Sequence, residues 1–390
     1  MRVAGLISGT SMDGIDVAVA DLRFVDDTIE LHPLGAMSVP YAAPLRAALG
    51  AALPPAPTTV EEVCRLDTLV GQAFADAAAA AVDAFGGGTV ELVVSHGQTI
   101  FHWVDGDGRA RGGLQLGQPA WIAEATGLPV VADVRARDIA AGGHGAPLAS
   151  TLDHLLLSGT GERAAALNLG GISNITVVSP GAPTIAFDIG PANALIDAAV
   201  WHASGGSEAY DRGGARGRRG RVHAGLMERL LSEPYYRRPP PKSTGKELFH
   251  LDYLLDHVAA VGSVDADDLV ATVTELTAVT VAEACRDFDV RRLLVSGGGA
   301  ENPLLMERLV AALPDVELTT IDTYGIPSAA KEAYLFALLG FLTVHGLAGN
   351  VPSATGAERP VVLGCVIPGR AAFPAVDPPA AAPSRLVVVR

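Results

Sequence analysis

The segment Gly9-Thr10-Ser11-Met12-Asp13-Gly14-Ile15-Asp16 holds residue types that can bind a nucleotide phosphate. Its glycines let backbone N–H groups approach an anion closely, and its hydroxyls can donate hydrogen bonds. Asp13 stands at the tip of the turn, where a carboxylate can hold Mg²⁺ through water. Plain β-hairpins use the same residue types, so this segment alone allows a phosphate turn or a structural turn with solvated carboxylates at Asp13 and Asp16.

Asp188 is the second residue whose position suits chemistry. It follows the apolar run Ile185–Phe187 and precedes Gly190-Pro191, near which a helix is expected to begin. In α/β folds, catalytic and ligand-binding groups lie where buried strands end. The alternative is that Asp188 caps the following helix. The local sequence leaves both interpretations open.

Several other motifs are poor candidates for chemistry. His96 and His102 are six residues apart, which is no metal-ligand spacing and favours a hydrogen-bonding role in a loop. The five arginines between Arg212 and Arg221 are typical of a solvated surface loop more than of an anion site. Gly297-Gly298-Gly299 lacks the further glycine of a dinucleotide fingerprint, and the chain has no P-loop lysine motif.

The elements around these residues alternate between strands and helices, which indicates an α/β protein. Apolar runs on both sides of the first turn predict strand, turn and strand, and Asn168–Asn174 repeats that arrangement, so the chain resembles two related halves. Thr59 and Glu62 have capping-box spacing and predict a helix that runs to Phe85. We further expect strands at 92–94, 129–132 and 292–295, helices at 265–287 and 331–345, and loops at 140–147 and 239–242.

Composition limits the class of protein. The 390 residues favour two domains, and a net charge of −15 argues against nucleic acid or an anionic membrane surface as partner. The three cysteines (Cys64, Cys285 and Cys365) are widely spaced, which fits a reducing compartment. The N-terminus lacks the pattern of a signal peptide, and no segment has the about 18 apolar residues of a membrane span. We therefore expect a cytoplasmic protein.

Ten segments, taken in order, resemble the 1,6-anhydro-N-acetylmuramic acid kinases over roughly residues 2 to 369. They are 9–16, 95–99, 117–119, 133–148, 168–174, 187–193, 241–249, 296–303, 330–333 and 362–364. The resemblance implies the two-domain actin/Hsp70/sugar-kinase fold, which is ribonuclease H-like, with ATP in the cleft between the domains. We place the N-terminal domain at 1–160, where the last helices can also pack, the C-terminal domain at 161–370 and an irregular tail at 371–390.

The same resemblance implies ATP and Mg²⁺ as cofactors and assigns roles to particular residues. Asp188 would be the catalytic base, and Asp13 would hold Mg²⁺ through water. The sugar would contact His96, Gln98, Thr99, Asn174 and Glu332. The phosphates and adenosine of ATP would contact Gly9, Thr10, Ser11, Met12, Asp13, Gly14, Ile15, Asp16, Asn168, Gly170, Gly171, Gly297, Gly298 and Gly299.

The implied activity opens the 1,6-anhydro bridge of 1,6-anhydro-N-acetylmuramic acid with water and phosphorylates O6, as part of peptidoglycan recycling. The implied assembly is a homodimer. Alternatives are a levoglucosan kinase, a plain sugar kinase of the same fold and an ATP-gated binder without catalysis. Two residues depart from the family pattern: Ala192 replaces a glycine, which is tolerable if its φ is negative, and His144 replaces a glutamine.

Overall fold

The computed structural model describes residues 1–9, 11–370, 373, 376, 379 and 381–389, and it forms two compact units. The first unit combines Met1–Gly159 with Tyr324–Arg390, and the second unit is Thr160–Thr323. The sequence-based division assigned 161–370 to the second domain. The structure instead returns the chain to the first unit at Tyr324, so a larger segment than the last helices packs there.

The first part of the first unit contains six strands and five α-helices. The strands are β1 (Arg2–Ser8), β2 (Gly14–Val25), β3 (Thr28–Pro40), β4 (Leu92–Val104), β5 (Ala110–Leu116) and β6 (Val130–Ala132). The helices are α1 (Ala43–Ala51), α2 (Val60–Phe85), α3 (Ala120–Thr126), α4 (Ala136–Ala140) and α5 (Ala149–Leu157). The capping-box prediction for α2 is confirmed, because the Thr59 side chain accepts the N–H of Glu62 at 3.1 Å.

The second unit contains five strands and six α-helices. The strands are β7 (Ala164–Leu169), β8 (Ile172–Val178), β9 (Ile185–Pro191), β10 (Arg292–Ser296) and β11 (Glu317–Thr320). The helices are α6 (Asn193–Ala203), α7 (Ala215–Arg219), α8 (Ala224–Leu231), α9 (Leu251–Val261), α10 (Ala266–Asp287) and α11 (Pro303–Ala312). Helix α10 packs its many small residues against this sheet and is mostly buried.

Both units have the same central sheet. In the first unit the order is β3-β2-β1-β4-β6, and in the second it is β9-β8-β7-β10-β11. In each sheet the first three strands are antiparallel neighbours, and the last two run parallel to the first. This repeated five-strand arrangement is ribonuclease H-like, so the predicted fold class and the two related halves are confirmed.

The returning segment contributes α12 (Lys331–Val344), α13 (Pro352–Thr355), β12 (Cys365–Ile367) and β13 (Arg385–Val388). Helix α12 lies across β1, where a β-carbon on Gly5 would sit 2.1 Å from the Ala333 carbonyl oxygen. On the same helix, a β-carbon on Gly340 would sit 2.1 Å from Val94 of β4. These two glycines therefore allow α12 to approach the sheet closely.

The expected tail at 371–390 is irregular only in part. Strand β13 pairs in parallel with β3, with Leu386 opposite Ile29 and buried, so the description of this segment as irregular is wrong at 385–388. The pairing is favourable because it removes the apolar Leu386 side chain from water and packs it against the sheet. The tail residues 371, 372, 374, 375, 377, 378, 380 and 390 lie outside the described residues.

Each unit has its own core, built mainly from alanine, valine and leucine. In the first unit, α2 covers one face of the sheet with Leu66, Val70 and Phe74. In the second unit, α6 and α10 bury Leu195, Val273 and Leu276 against the sheet. Within the described part of the chain, no helix is both long and apolar enough to cross a membrane.

Candidate active site

The first glycine turn, residues 9–13, joins β1 to β2 at one end of the first sheet. The Met12 N–H donates to the Gly9 carbonyl oxygen at 3.2 Å, and Met12 has a φ of 51°. The Ser11 hydroxyl donates to a carboxylate oxygen of Asp13, and Asp13 is exposed to solvent. Thr10 lies outside the described residues. The predicted turn is therefore present, with an accessible carboxylate at its tip.

Two buried side chains hold this turn from below. The Ser8 hydroxyl lies 2.6 Å from the Gln98 amide oxygen and 2.8 Å from the Gly14 carbonyl oxygen. The Gln98 amide N–H groups donate to the carbonyl oxygens of Gly9 and Thr99, both at 3.2 Å. Gln98 is fully buried. The sequence analysis did not predict this support, although a glutamine close to an apolar strand could have indicated it. The sugar contact expected for Gln98 stays a prediction.

His96 orients Arg135. Strand β4 continues through 95–99, so the expectation of a short strand that ends before His96 is wrong, because β5 pairs with this extension. The His96 Nε2 accepts the Nε–H of Arg135 at 2.7 Å, and Nδ1 lies 2.9 Å from the Gly97 carbonyl oxygen. Burial, together with the Arg135 charge, lowers the pKa of His96 to about 3. His96 is therefore a neutral ring that fixes the guanidinium.

Opposite charges collect near this guanidinium in the first unit. Glu332 lies in the first turn of α12, with its side chain exposed, and the surrounding protein raises its pKa while Arg135 and Lys331 oppose the shift. Burial and the neighbouring Asp13 raise the pKa of Asp16, and the Asp16 carboxylate also acts on Glu332. Asp16, Arg135 and Glu332 thus form one polar region that suits a hydroxylated ligand.

Two buried acidic residues position this region. Lys331 Nζ lies 2.7 Å from the Asp153 carboxylate, and both side chains are buried, which ties α12 to α5. The fully buried Asp138 accepts hydrogen bonds from Asn350 and Thr355 at 2.7 Å and from the N–H of Gly145 at 2.8 Å. The predicted loop at 140–147 is present apart from Ala140, which ends α4, and these bonds hold it firmly in place.

The second glycine turn, Gly170-Gly171, joins β7 to β8. Its carbonyl oxygens accept the N–H groups at the start of α6: Gly171 from Ala192 and Ala194 at 2.9 and 3.0 Å, and Gly170 from Asn193 at 3.0 Å. Carbonyl oxygens would repel a phosphate, and here they are occupied by the helix. This turn therefore has no side chain and no free carbonyl to oppose an anion.

Asp188 lies at the middle of β9, half-buried and directly opposite Asn174 of β8 in the ladder, so the strand runs past it to Pro191 instead of ending there. Its carboxylate Oδ2 accepts the Thr244 N–H at 3.0 Å. Burial raises the pKa of Asp188 to about 6, with the Thr244 hydrogen bond opposing and Glu247 adding to the shift. Helix α6 begins at Asn193 with Ala192 as its N-cap residue, so Asp188 does not cap it. The capping alternative is excluded.

Residues 235–247 hold Asp188 in place, and sequence reasoning gave them no role. The Tyr235 hydroxyl donates to the Asp188 carbonyl oxygen at 2.7 Å, and the Asp188 N–H donates to the Lys242 carbonyl oxygen at 3.1 Å. Lys242 Nζ in turn donates to the carbonyl oxygen of Tyr236 at 3.0 Å. The signal was available, because 241–249 belongs to the segments that resemble the kinase family.

The glycines at 297–299 have a packing reason of their own. Gly297 has a φ of 85°, and a β-carbon there would sit 2.5 Å from the Asn168 amide oxygen. A β-carbon on Gly299 would sit 2.7 Å from the Leu169 β-carbon. These glycines therefore let the segment after β10 lie against the end of β7, beside the second glycine turn. Their approach to adenosine, and that of Gly298, stays a prediction.

The arginine-rich segment serves the fold of the second unit. Residues 215–219 form helix α7, where the expectation was a surface loop. Arg216 and Arg219 both pair with Asp267 of α10, at 3.0 and 2.7 Å, and Arg218 pairs with Glu307 of α11 at 2.6 Å. Ion pairs with acidic residues of two neighbouring helices stabilise α7. The same ion pairs neutralise the arginine charges that an anion site would need.

Comparison with known proteins agrees with this geometry. The family model described as anhydro-N-acetylmuramic acid kinase matches residues 1–369. The chain belongs to the anhydro-N-acetylmuramic acid kinase family. A relative of that name from Streptomyces coelicolor is 57% identical over 383 residues, which are 97% of this chain and 98% of the relative. Another from Streptomyces avermitilis is 58% identical over 370 residues, which are 95% of each chain.

Solved structures outside the anhydro-N-acetylmuramic acid kinase family resemble this chain only distantly. A ROK family glucokinase from Streptomyces griseus, in complex with glucose and AMPPNP, covers 87% of this chain and 99% of its own length. The TM-score is 0.36 and the sequence identity 15%. The assignment to the family therefore rests on the sequence matches, and the fold on the strand order of the two sheets.

Proposed function

We propose that this protein transfers the γ-phosphoryl group of ATP to O6 of 1,6-anhydro-N-acetylmuramic acid while water opens the 1,6-anhydro bridge. The products are N-acetylmuramic acid 6-phosphate and ADP, within peptidoglycan recycling. Membership of the family supports the substrate. The observation that carries the mechanism is Asp188, a half-buried carboxylate with a pKa of about 6 on the largely buried strand β9.

The reaction needs one base. Asp188 takes a proton from water as the water oxygen bonds to C1, and the C1–O6 bond breaks. O6 then bonds to the γ-phosphorus, and the bond from that phosphorus to ADP breaks. An inverting glycosidase needs an acid to protonate its leaving oxygen, and here the phosphoryl group takes that place. A pKa of about 6 leaves Asp188 ionised at neutral pH and more basic than an ordinary aspartate.

The two glycine turns would hold the phosphates of ATP. In the first unit the phosphates would lie against the turn between β1 and β2, whose Ser11 and Asp13 are exposed. In the second unit Gly170 and Gly171 present a turn whose carbonyl oxygens are occupied by α6. Asn168 and residues 297–299 lie beside this second turn and would approach the adenosine.

Asp13 is suited to bind Mg²⁺ through water. It is exposed at the tip of the first glycine turn, and the hard oxygen of a carboxylate is a preferred ligand of Mg²⁺. Among the described residues, no group of three or more His, Cys, Asp or Glu side chains could hold a metal. A single carboxylate acting through water suits this, since Mg²⁺ in kinases takes other ligands from phosphates and water. When bound, Mg²⁺ neutralises charge on the phosphates.

The sugar would bind to the polar region of the first unit. Glu332 supplies a carboxylate that can accept hydrogen bonds from sugar hydroxyl groups, and Thr99 supplies a hydroxyl group. His96 acts on this region through Arg135, because both of its ring nitrogens are engaged. Asn174 lies beside Asp188 in the sheet of the second unit.

We also propose a cytoplasmic location and a homodimer. Cys64, Cys285 and Cys365 are all free thiols, and ATP is the phosphoryl donor, which together suit a reducing compartment. The homodimer rests on the family resemblance, and analytical ultracentrifugation of the full chain tests it. A single species at the monomer mass would contradict the homodimer.

An ADP-release assay in heavy-oxygen water tests the reaction. Four sugars are compared with Mg-ATP: 1,6-anhydro-N-acetylmuramic acid, levoglucosan, N-acetylmuramic acid and glucose. We expect turnover with the first sugar, with the heavy oxygen at C1 of the product by mass spectrometry. Turnover with levoglucosan would keep the mechanism and change the substrate. Turnover only with sugars that have a free acceptor hydroxyl would contradict the ring opening, and ATP binding without turnover would favour an ATP-gated binder.

A further inference from the structure

Lysine is rare in this chain, and the structure accounts for two of its three lysines. Lys331 forms a buried ion pair with Asp153, and Lys242 donates to the carbonyl oxygen of Tyr236. Lys246 is different, because its side chain is exposed. Among the described residues, no hydrogen bond or ion pair engages its ammonium group. One lysine is therefore available for a ligand.

Lys246 lies beside the second glycine turn. A β-carbon on Gly171 would sit 3.5 Å from Lys246 Cε, so the end of the lysine side chain passes directly over the turn. Thr244, two residues earlier, donates its N–H to the Asp188 carboxylate at 3.0 Å. The 242–247 loop therefore contacts the base at one point and the glycine turn at another.

The charges around Lys246 leave its ammonium group available. Its acidic neighbour is Asp197 of α6, and burial raises the pKa of Asp197 to about 6 while Lys246 opposes the shift. The two groups interact through their charges and not through an ion pair within 4 Å among the described residues. Glu247 of the same loop acts on Asp188. At neutral pH both Asp197 and Lys246 are charged, but because no ion pair joins them among the described residues, the N–H groups of the Lys246 ammonium remain available to an anion.

We propose that Lys246 binds the transferring phosphoryl group at the second glycine turn and stabilises the negative charge that develops there. This inference rests on the proposed kinase function. The chain has no P-loop lysine, and Lys246 would supply the corresponding point charge from a loop that also holds the base. No bond to Lys246 forms or breaks in the reaction, and its proton stays on the ammonium group.

A lysine-directed nucleotide probe tests the position. An acyl-phosphate derivative of ATP transfers its acyl group to a lysine amine near the γ-phosphate, forming an amide and releasing the nucleotide. Peptide mapping by mass spectrometry then compares three lysines in the full chain. We expect acylation of Lys246, suppressed by excess ATP, with little at Lys242 or Lys331. Equal labelling of Lys246 with and without ATP would overturn the position.

Kinetics of three variants test the role. Lys246→Met keeps the aliphatic length without the charge, and we expect kcat to fall on the order of 10²-fold, as when one transition-state donor is removed. The affinity for ADP, measured by calorimetry, should change little, because ADP lacks the transferred group. Lys246→Arg should recover most of the lost kcat. Arg229→Met, which removes an exposed positive charge on α8 of the second unit, should keep wild-type kcat.

The outcomes separate this inference from the proposed function. Wild-type turnover with an unimpaired Lys246→Met variant would overturn the role of Lys246 and leave the kinase activity standing. Equal loss of kcat in Lys246→Met and Lys246→Arg would also overturn it, because a charge at this place should be restored by arginine. A wild-type chain that uses neither ATP nor any of the sugars would overturn the proposed function, and this inference with it.

Discussion

The two glycine turns occupy equivalent places in two sheets of the same strand order, yet the protein holds them by different means. The first turn rests on side chains, because Ser8 and Gln98 bind its backbone from below. The second turn rests on the main chain, because N–H groups of Ala192, Asn193 and Ala194 occupy its carbonyl oxygens. A turn held by side chains can be loosened by one substitution, whereas a turn held by a helix start resists most of them.

The units also differ in the chemistry beside each turn. The second unit carries Asp188, whose pKa burial raises to about 6, and Asp197 of α6, whose pKa is raised to about 6 as well. The first unit carries Asp16, Arg135 and Glu332, charges that act on one another. A repeated fold therefore carries different chemistry in each unit, with a raised carboxylate pKa in the second and a cluster of opposite charges in the first.

Replacing Asp188 with asparagine should give the largest effect. Asparagine keeps an oxygen that can accept the Thr244 N–H, but it cannot take a proton from water, so kcat should fall about 10²–10⁴-fold. The measurement is steady-state ADP release with 1,6-anhydro-N-acetylmuramic acid. Asp197→Asn is the matched control, because burial raises the pKa of Asp197 to about 6 as well, and it should keep turnover near the wild-type level. A similar loss of kcat in both variants would contradict the role of Asp188 as the catalytic base.

The pH dependence of the wild-type protein should show the same carboxylate. Asp188 acts only when ionised, so kcat/KM should rise with pH through about 6, and at pH 5 about a tenth of the activity should remain. The effect of Asp188 on folding stability changes with pH in the opposite direction to its effect on activity. The folded pKa of Asp188 lies above its ordinary 3.8, so its contribution to stability falls as pH rises from about 4 to about 6. An acidic limb near pH 4 would mean that burial does not perturb Asp188.

Much of the fold could be predicted from local sequence. Turn residues between apolar runs located β1, β2, β7 and β8, and the capping pair at Thr59 located the start of α2. These features depend on neighbouring residues, so a pattern along the chain is sufficient. The apolar run before Asp188 likewise located β9, although the strand continues to Pro191 and Asp188 lies at its middle.

The missed features depend on residues far apart in the chain. Strand β4 extends through His96 and Gln98 because β5 pairs with it, and segment 140–147 is fixed because Asn350 and Thr355 reach Asp138. The last helices were expected to pack on the first domain, but the close approach of α12 depends on Gly5, whose role cannot be seen from the neighbouring residues in the sequence. Such contacts leave no periodic signal in the sequence.

Loosening the first turn through Gln98 should give a moderate effect that sharpens the comparison. Gln98→Leu keeps the buried volume and removes the hydrogen bonds to Gly9 and Ser8, at a cost of about 1 kcal/mol for the turn geometry. The KM for ATP should therefore rise about fivefold, with a smaller change in the KM for the sugar. Initial-rate kinetics with each substrate varied in turn measure this.

Gln115→Leu is the matched control for that change. Gln115 lies on the neighbouring strand β5 and donates to the Thr99 hydroxyl at 3.3 Å, without contact to the turn. Its KM for ATP should stay near the wild-type value. If Gln98→Leu instead raises only the KM for the sugar, Gln98 contacts the sugar as the family resemblance implies, and its support of the turn is secondary.

The smallest effect should come from Ala192, at the support of the second turn. Its φ is −128°, so an alanine fits without left-handed strain, and its N–H, not its methyl group, binds Gly171. Ala192→Gly should leave kcat and both KM values within about twofold of wild type and lower stability by about 1 kcal/mol, from backbone entropy and the loss of a buried methyl group. Thermal unfolding beside kinetics measures both. A clear gain in kcat would show that the Ala192 methyl group obstructs the sugar. The Ala192 side chain, and not only its N–H, would then matter at the second turn.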